Sequence, residues 1–168
     1  YMETVVGLSK EAAASSVALF TVAQFIGRAV GSRLTRRYTT ANLLLGAAAI
    51  VLVGFPIFWL ARVPVLNAVG LFVCGLGVAN LFPLTLSLTS AVGISNPDAA
   101  SGLTSMSSGL AILLMPQILG VIADRADIQI AYGIVAPFAI GVIIMTFYAN
   151  RLAHQHEQTM RLQRDQSL

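Results

Sequence analysis

The sequence predicts an all-α membrane protein, a polytopic bundle of membrane-spanning helices. Hydrophobic residues make up 57% of the 168 residues and charged residues only 10%, with a mean hydropathy of +0.81, whereas a soluble domain carries about 25% charged residues. Five apolar runs are long enough to cross a bilayer, whose core of about 30 Å needs roughly 20 helical residues. The runs do not alternate as membrane strands do, and over such lengths only helices satisfy their own backbone in lipid.

The five predicted spans follow one another with short links. We place them at residues 12–34, 38–61, 65–92, 99–123 and 128–150, within a bundle domain of residues 10–152. The first span contains Arg28 and Arg33, and the other four contain no charged residue. Residues 1–9 lack the basic start and apolar centre of a signal peptide, and the chain opens with Tyr1. We therefore interpret residues 1–9 as the end of a preceding membrane helix, and residues 153–168 as a polar tail.

The distribution of Lys and Arg predicts which way the bundle faces. One side of the membrane would carry the turn after the first span and the tail after the fifth. Its cations are Arg33, Arg36, Arg37, Arg151, Arg161 and Arg164. The other side carries Lys10, Arg62 and Arg125, diluted by Glu11, Asp124 and Asp127. Because cytoplasmic loops are enriched in Lys and Arg, we expect a cytoplasmic C-terminus in an integral protein of a bacterial inner membrane.

Several function classes have no support in the sequence. The net charge of +3 does not indicate nucleic-acid binding, because the arginines lie at the ends of apolar runs. The chain contains no Gly-x-Ser-x-Gly, His-Glu-x-x-His or Walker sequence. The lone Cys74 offers no disulfide or metal cluster, and we interpret His154 and His156 as a solvated pair in the tail. We therefore expect no enzyme activity, metal or cofactor.

A Gly-x-x-x-Gly pair, Gly27 and Gly31, lies near the end of the first span. Small residues at this spacing let two helix backbones approach closely in lipid, so the pair predicts that two helices meet here. Arg28 lies about six residues, or roughly 9 Å, from the end of the span. We expect it to snorkel to the interface and pair with another helix; binding of an anion is the alternative.

Polar side chains near the centres of the spans are candidate solute contacts, because polar groups at that depth face a partner or a cavity. Gln24 lies near the centre of the first span and Asn80 near that of the third. Helical spacing places one further hydroxyl on the face of Gln24, one on the face of Asn80, and two on a serine stripe of the fourth span. These are Thr21, Ser87, Ser105 and Ser108, with Ser101 on the same stripe. The alternative is that such hydroxyls bond their own backbone or a neighbouring helix.

Two further features bear on mechanism. Pro83 follows Asn80 inside the third span, and a proline there predicts a kink that helps to shape a cavity. The five spans contain no Asp, Glu or His, so nothing in them could relay protons at membrane depth. If the full protein is proton-coupled, we expect its titrating residue to lie in the part of the protein that this chain does not include.

Three motifs resemble the C-terminal half of a Major Facilitator Superfamily (MFS) transporter, from the end of helix seven through helix twelve. They are Gly27-Arg28 with Gly31-Ser-Arg-Leu-Thr-Arg-Arg37, Gly75-Leu-Gly77-Val-Ala-Asn80-Leu-Phe-Pro83, and Gly120-Val-Ile-Ala-Asp124-Arg125. The first departs from the family pattern Gly-x-x-x-Asp-Arg-x-Gly-Arg-Arg. Thr35 stands where the family has Asp, and Tyr38 where it has the second Gly.

The resemblance implies a six-helix half of an MFS-type fold, with five complete spans here and the N-terminal half of the same transporter as its partner. It also implies secondary active or facilitative transport of a small solute by alternating access, with cavity surface on helices eight, ten and eleven. The residues it marks as gating or structural are Gly27, Arg28, Gly31, Arg36, Arg37, Pro83, Gly120, Asp124 and Arg125.

The uncharged contacts suit a sugar or other small polar solute, and an amphiphilic drug-like compound is the second option. Because Arg28 is positively charged, a small organic anion is a third candidate for the solute. A different class is a non-transporting membrane module that assembles with another chain. An intramembrane enzyme would need a cluster of ionisable residues at depth, which the spans lack.

Overall fold

The computed structural model describes residues 1–3, 5–92 and 97–148, and its regular structure over these ranges is helical. Five helical segments are long and apolar enough to cross a membrane, which confirms the predicted all-α membrane fold. Residues 93–96 of the predicted link 93–98, the end of the fifth span and the polar tail at 153–168 lie outside the described residues, and the rest of that link belongs to a helix.

The first four helices begin and end within two residues of the predicted spans, whereas a turn at Ile134 divides the fifth predicted span into two helices. The helices are α1 (Lys10–Leu34), α2 (Thr40–Leu60), α3 (Pro64–Val92), α4 (Pro97–Arg125) and α5 (Ile128–Gly133). After a turn at Ile134 the chain is helical again over residues 135–148, here called α6. Together α5 and α6 form the fifth membrane-length segment, Ile128–Tyr148.

Side chains in the links determine where three of the helices begin. Ser9 Oγ accepts a hydrogen bond from Ala12 N at 3.2 Å, and Thr39 Oγ1 accepts one from Asn42 N at 3.4 Å. Asp127 Oδ1 accepts from Gln129 N at 3.3 Å. Each contact satisfies a backbone donor that has no partner within its helix.

The described residues before α1 form turns and not a helix. Val5 N donates to Tyr1 O at 2.8 Å, and Gly7 has a φ of 73°, a left-handed conformation that favours glycine. The interpretation of residues 1–9 as the end of a preceding membrane helix remains a prediction.

α3 lies at the centre of the bundle and packs against α1, α2 and α4. Its contact with α2 is made backbone to backbone at glycines. A Cβ on Gly54 would lie 2.7 Å from Cys74 N, and one on Gly77 would lie 2.7 Å from Ala47 O. A Cβ on Gly70 would overlap Phe58 N and lie 2.7 Å from Phe58 Cα. Such close contact provides van der Waals attraction where lipid provides no hydrophobic driving force.

An aromatic cluster ties the end of α2 to α5 and to the start of the chain. Tyr1, Phe58 and Tyr132 lie with ring centroids 5.1 to 6.2 Å apart. Trp59 Nε1 donates to Gln129 O at 2.7 Å, and the Tyr1 hydroxyl donates to Trp59 O. Burial raises the pKa of Tyr1 above its ordinary value, and Arg62 partly opposes this. The phenol therefore stays protonated and remains a donor at neutral pH.

Asn67, in the first turn of α3, is fully buried beside this cluster. Its Nδ2 donates to Phe58 O at 2.7 Å, a carbonyl in the last turn of α2 that has lost its helical donor. Its Oδ1 is a buried acceptor with no partner among the described residues. The Asn67 side chain thus connects the end of α2 to the start of α3 by a hydrogen bond.

We predict that Gly70→Ala lowers the stability of the bundle by about 3 kcal/mol, because the added methyl group meets the α2 backbone and not a flexible side chain. The matched control is Gly109→Ala in α4, where a Cβ has no neighbour within 4 Å. Thermal unfolding of the two variants in the same detergent measures the difference. Equal midpoints for the two variants would show that α2 and α3 do not pack as described.

Candidate functional site

Asn80 forms a hydrogen bond between two helices at membrane depth. Its Nδ2 donates to Gly27 O of α1 at 2.8 Å and approaches Leu76 O of its own helix at 3.5 Å. An amide is costly in lipid unless it finds a partner. In this structure Asn80 therefore joins α3 to α1 through a side-chain hydrogen bond.

The Gly-x-x-x-Gly pair makes room for this contact. A Cβ on Gly27 would lie 2.5 Å from Leu76 O, and one on Gly31 would overlap Asn80 Oδ1 and lie 2.6 Å from Asn80 Cγ. Two helices do meet at this pair, as the spacing predicts. The partner is α3 and not α2, the next helix in sequence.

A cavity of about 330 Å³ opens beside Asn80, with α1 and α2 as its walls and α3 as its floor. We call it the α1–α2 crevice. It is lined by Ile26, Gly27, Val30, Gly31, Leu34, Asn42, Leu43, Gly46, Ala47, Ile50, Leu76, Asn80 and Leu84. The two asparagines are its polar side chains, so the crevice offers few directed hydrogen bonds and a largely apolar surface.

The structure does not bring the other five predicted solute contacts to this crevice. Gln24 is half-buried on α1, and Thr21 is exposed with its Oγ1 donating to Val17 O at 3.0 Å. The remaining three are Ser87, exposed on α3, Ser105, exposed on α4, and Ser108, half-buried on α4. Thr21 thus shows the backbone bond that the sequence left open as an alternative. The role of these residues in binding a solute remains a prediction.

The serine stripe of α4 makes one contact between helices. Ser101 Oγ lies 2.7 Å from Ser90 Oγ of α3, and Ser90 Oγ also lies 2.8 Å from Leu86 O, to which it donates. This pair holds the start of α4 against the end of α3. It corresponds to the alternative in which hydroxyls bond a neighbouring helix.

Seven of the nine residues predicted as gating or structural lie on the surface of the bundle, whereas Gly27 is buried and Gly31 half-buried against α3. Exposed positions are Arg28, Arg36, Arg37, Pro83, Gly120, Asp124 and Arg125. No ion pair joins any of these charged side chains to another described residue. A Cβ on Gly120 would have no neighbour within 4 Å, so Gly120, unlike Gly31, makes no close helix contact in this part of the chain. α3 continues through Pro83 to Val92, and the gating roles remain predictions.

Besides Asn67 and Gln129, two described amides lie away from the span centres and are not among the predicted contacts. Asn42 lines the α1–α2 crevice near the start of α2, and Gln117 is exposed on α4. Both residues could have been identified from the sequence by considering every amide within an apolar run, and not only those near the span centres. Across the described ranges, no three His, Cys, Asp or Glu side chains lie close enough together to hold a metal ion.

We predict that Asn80→Ala and Gly31→Ala each lower stability by about 1 kcal/mol, but that the double variant loses far less than the sum. Asn80→Ala removes one interhelical hydrogen bond, and it also removes the atoms that a methyl group at position 31 would strike. A double-mutant cycle from thermal unfolding in detergent measures the coupling. Additive losses would mean that the two positions are not in contact.

Comparisons with known proteins identify the family of the chain. Residues 1–165 match the model of the Major Facilitator Superfamily. An uncharacterized MFS-type transporter of Yersinia pestis is 24% identical over 136 residues, which is 81% of this chain and 35% of that protein. The glucose/mannose transporter GlcP of Bacillus subtilis is 26% identical over 125 residues, 74% of this chain and 31% of that protein. No solved structure matches the chain.

The chain spans about a third of the length of these two relatives. The family match covers nearly all of it and includes each of the five membrane-length helical segments. The chain belongs to the Major Facilitator Superfamily.

Proposed function

We propose that this chain is part of a secondary active or facilitative transporter that moves a small solute across the membrane by alternating access. The observation that carries the proposal is the family match over residues 1–165, on a chain with five membrane-length helical segments. In such transporters, two helical halves rock about a site near the middle of the bilayer. Family membership also favours a transporter over an enzyme.

The exposed surface of α4 supports a second half that completes the transport unit. Within the apolar stretch of α4 no residue is buried, and the exposed fractions of Leu103, Met106 and Ile112 are 68%, 74% and 76%. Lipid alone can cover these apolar side chains. However, Gln117 and the hydroxyl of Ser105 are also exposed on α4, and polar groups at that depth need a cavity or a polar partner.

Uncharged hydrogen-bonding groups support a neutral, polar solute. Gln24, Asn80 and Ser105 offer amides and a hydroxyl, and the described acidic residues of the long helices lie in first or last turns. A sugar suits these groups, and one similar protein carries glucose and mannose in its name. An amphiphilic drug-like compound is the second candidate, because much of the exposed surface is apolar.

The test is uptake into liposomes by the complete transporter that contains this chain. We expect saturable uptake of one member of a panel of radiolabelled hexoses, with competition by the unlabelled sugar. Saturable uptake of a lipophilic drug in place of a sugar would support the second solute class. No saturable uptake of either class would contradict the proposed transport of these solutes and favour a membrane module without transport activity.

We predict that Gln24→Ala raises the KM for the solute about tenfold, which corresponds to one lost hydrogen bond of about 1.4 kcal/mol. The matched control is Gln129→Ala, which removes an amide from α5, at the far end of the bundle from the α1–α2 crevice. Initial uptake rates over a range of solute concentrations measure the change. An unaltered KM in Gln24→Ala would remove Gln24 from the solute site.

We predict that Asp98→Asn leaves the pH dependence of uptake unchanged. Asp98 lies in the first turn of α4 and is exposed, where its charge favours the helix N-terminus and is far from membrane depth. Uptake at a series of external pH values, with and without an imposed proton gradient, measures this. Loss of the response to the gradient in Asp98→Asn would make this residue the coupling group.

A further inference from the structure

The α1–α2 crevice exists because α1 and α2 both pack mainly on α3 and not on each other. Ile26, Val30 and Leu34 form the wall on α1, and the first and last are eight steps apart, or about 12 Å along the helix axis. On α2, Gly46 leaves open space, since a Cβ there would have no neighbour within 4 Å. Apolar cavities of this kind do not hold water, so a hydrocarbon is the natural occupant within a bilayer.

Positively charged residues lie at the end of α1, close to the last of the residues that form one wall of the crevice. Ile26, Val30 and Arg33 lie on one stripe of α1 at i, i+4 and i+7. The helical turn continues past α1, with Arg37 N donating to Leu34 O at 2.9 Å. Arg33, Arg36 and Arg37 are all exposed, and no described carboxylate forms an ion pair with them. Among the described residues, three positive charges without an ion-pair partner therefore flank Leu34, the last residue of α1 that lines the crevice.

We propose that the α1–α2 crevice and these three arginines bind an anionic phospholipid. One acyl chain lies in the crevice along α1, and the phosphate lies against Arg33, Arg36 and Arg37. Basic sites between membrane helices at the cytoplasmic surface bind acidic headgroups in this way, and arginine forms paired hydrogen bonds with phosphate oxygens. Asn42 lines the same crevice near the start of α2, where its amide can donate to the ester region of the lipid.

The combination of surfaces selects this occupant over two others. A soluble anion would use the arginines but leave the apolar walls empty. A helix from another part of the transporter would fill the walls but would match the arginines only if it carried carboxylates at that end. A phospholipid satisfies both surfaces and is already the solvent of an integral membrane protein. The site rests on the membrane location of the chain and does not depend on which solute is transported.

The first experiment compares binding of phosphatidylglycerol and phosphatidylcholine with identical acyl chains, by native mass spectrometry of the complete protein in detergent. We expect a strong preference for phosphatidylglycerol. The variant Arg33→Gln/Arg36→Gln/Arg37→Gln should lose on the order of 100-fold in affinity for it, or about fivefold for each arginine. The control variant Lys10→Gln/Arg62→Gln/Arg125→Gln loses the same charge at other helix ends and should keep the preference.

The second experiment fills the crevice. Gly46→Leu adds a side chain to the lining of the crevice at a position where a Cβ meets nothing within 4 Å, and we expect about a tenfold loss of bound phosphatidylglycerol with all three arginines present. Gly109→Leu, on α4, adds the same side chain where a Cβ also meets nothing within 4 Å and should bind lipid normally. Glycerol 3-phosphate, which has the phosphate but no acyl chain, should not compete at equal concentration.

A third measurement needs no variant. Phosphatidylglycerol with a photoreactive diazirine in one acyl chain should label residues 26–34 and 42–50 of the wild-type protein. The proposal is wrong if labelling falls elsewhere, if both triple variants lose affinity equally, or if Gly46→Leu binds lipid as Gly109→Leu does. Competition by glycerol 3-phosphate would show that the arginines bind a soluble anion without the acyl chain, which contradicts the proposal.

Discussion

The close approach of three helix backbones is the contact on which the rest of the bundle depends. In lipid, apolar side chains gain little by leaving the solvent, so helices associate through dense contact and polar bonds. Gly70 and Gly77 of α3 contact the backbone of α2, and Gly27 of α1 contacts the backbone of α3. A single methyl group at these positions would meet backbone atoms. The crevice between α1 and α2 is a consequence of the same arrangement, because both helices are held on α3 and leave a gap between them.

Asn80 shows how a structural hydrogen bond limits which further contacts a polar side chain can make. An asparagine side chain offers two donor hydrogens and one acceptor oxygen. Its Nδ2 is directed to Gly27 O and Leu76 O. The Oδ1 acceptor, close to Gly31, is the part of this side chain that remains for a further hydrogen bond. Gln24 has no comparable bond to another described residue and keeps its amide available.

Part of the candidate site could be predicted from the sequence, because lipid makes polar residues conspicuous. Asn80 stood out as an amide in a charge-free run, and Gly27 and Gly31 stood out by their spacing. The crevice, the role of Gly46 and the position of Asn42 could not be predicted in this way. A helix that is apolar all round shows no periodic face, so its sequence does not reveal which side meets a neighbour.

The sequence by itself determined the membrane class and the number of membrane-length segments. These follow from the length of each apolar run, because a bilayer of given thickness requires a helix of given length. Only the tertiary structure decided that α3 is the central helix, that Gly27 and Gly31 face it, and that Trp59 and Tyr132 join the far end of the bundle. The physical reason is that span length is a property of one segment and the surrounding lipid. The choice of partner depends on how the shapes of two distant segments fit together.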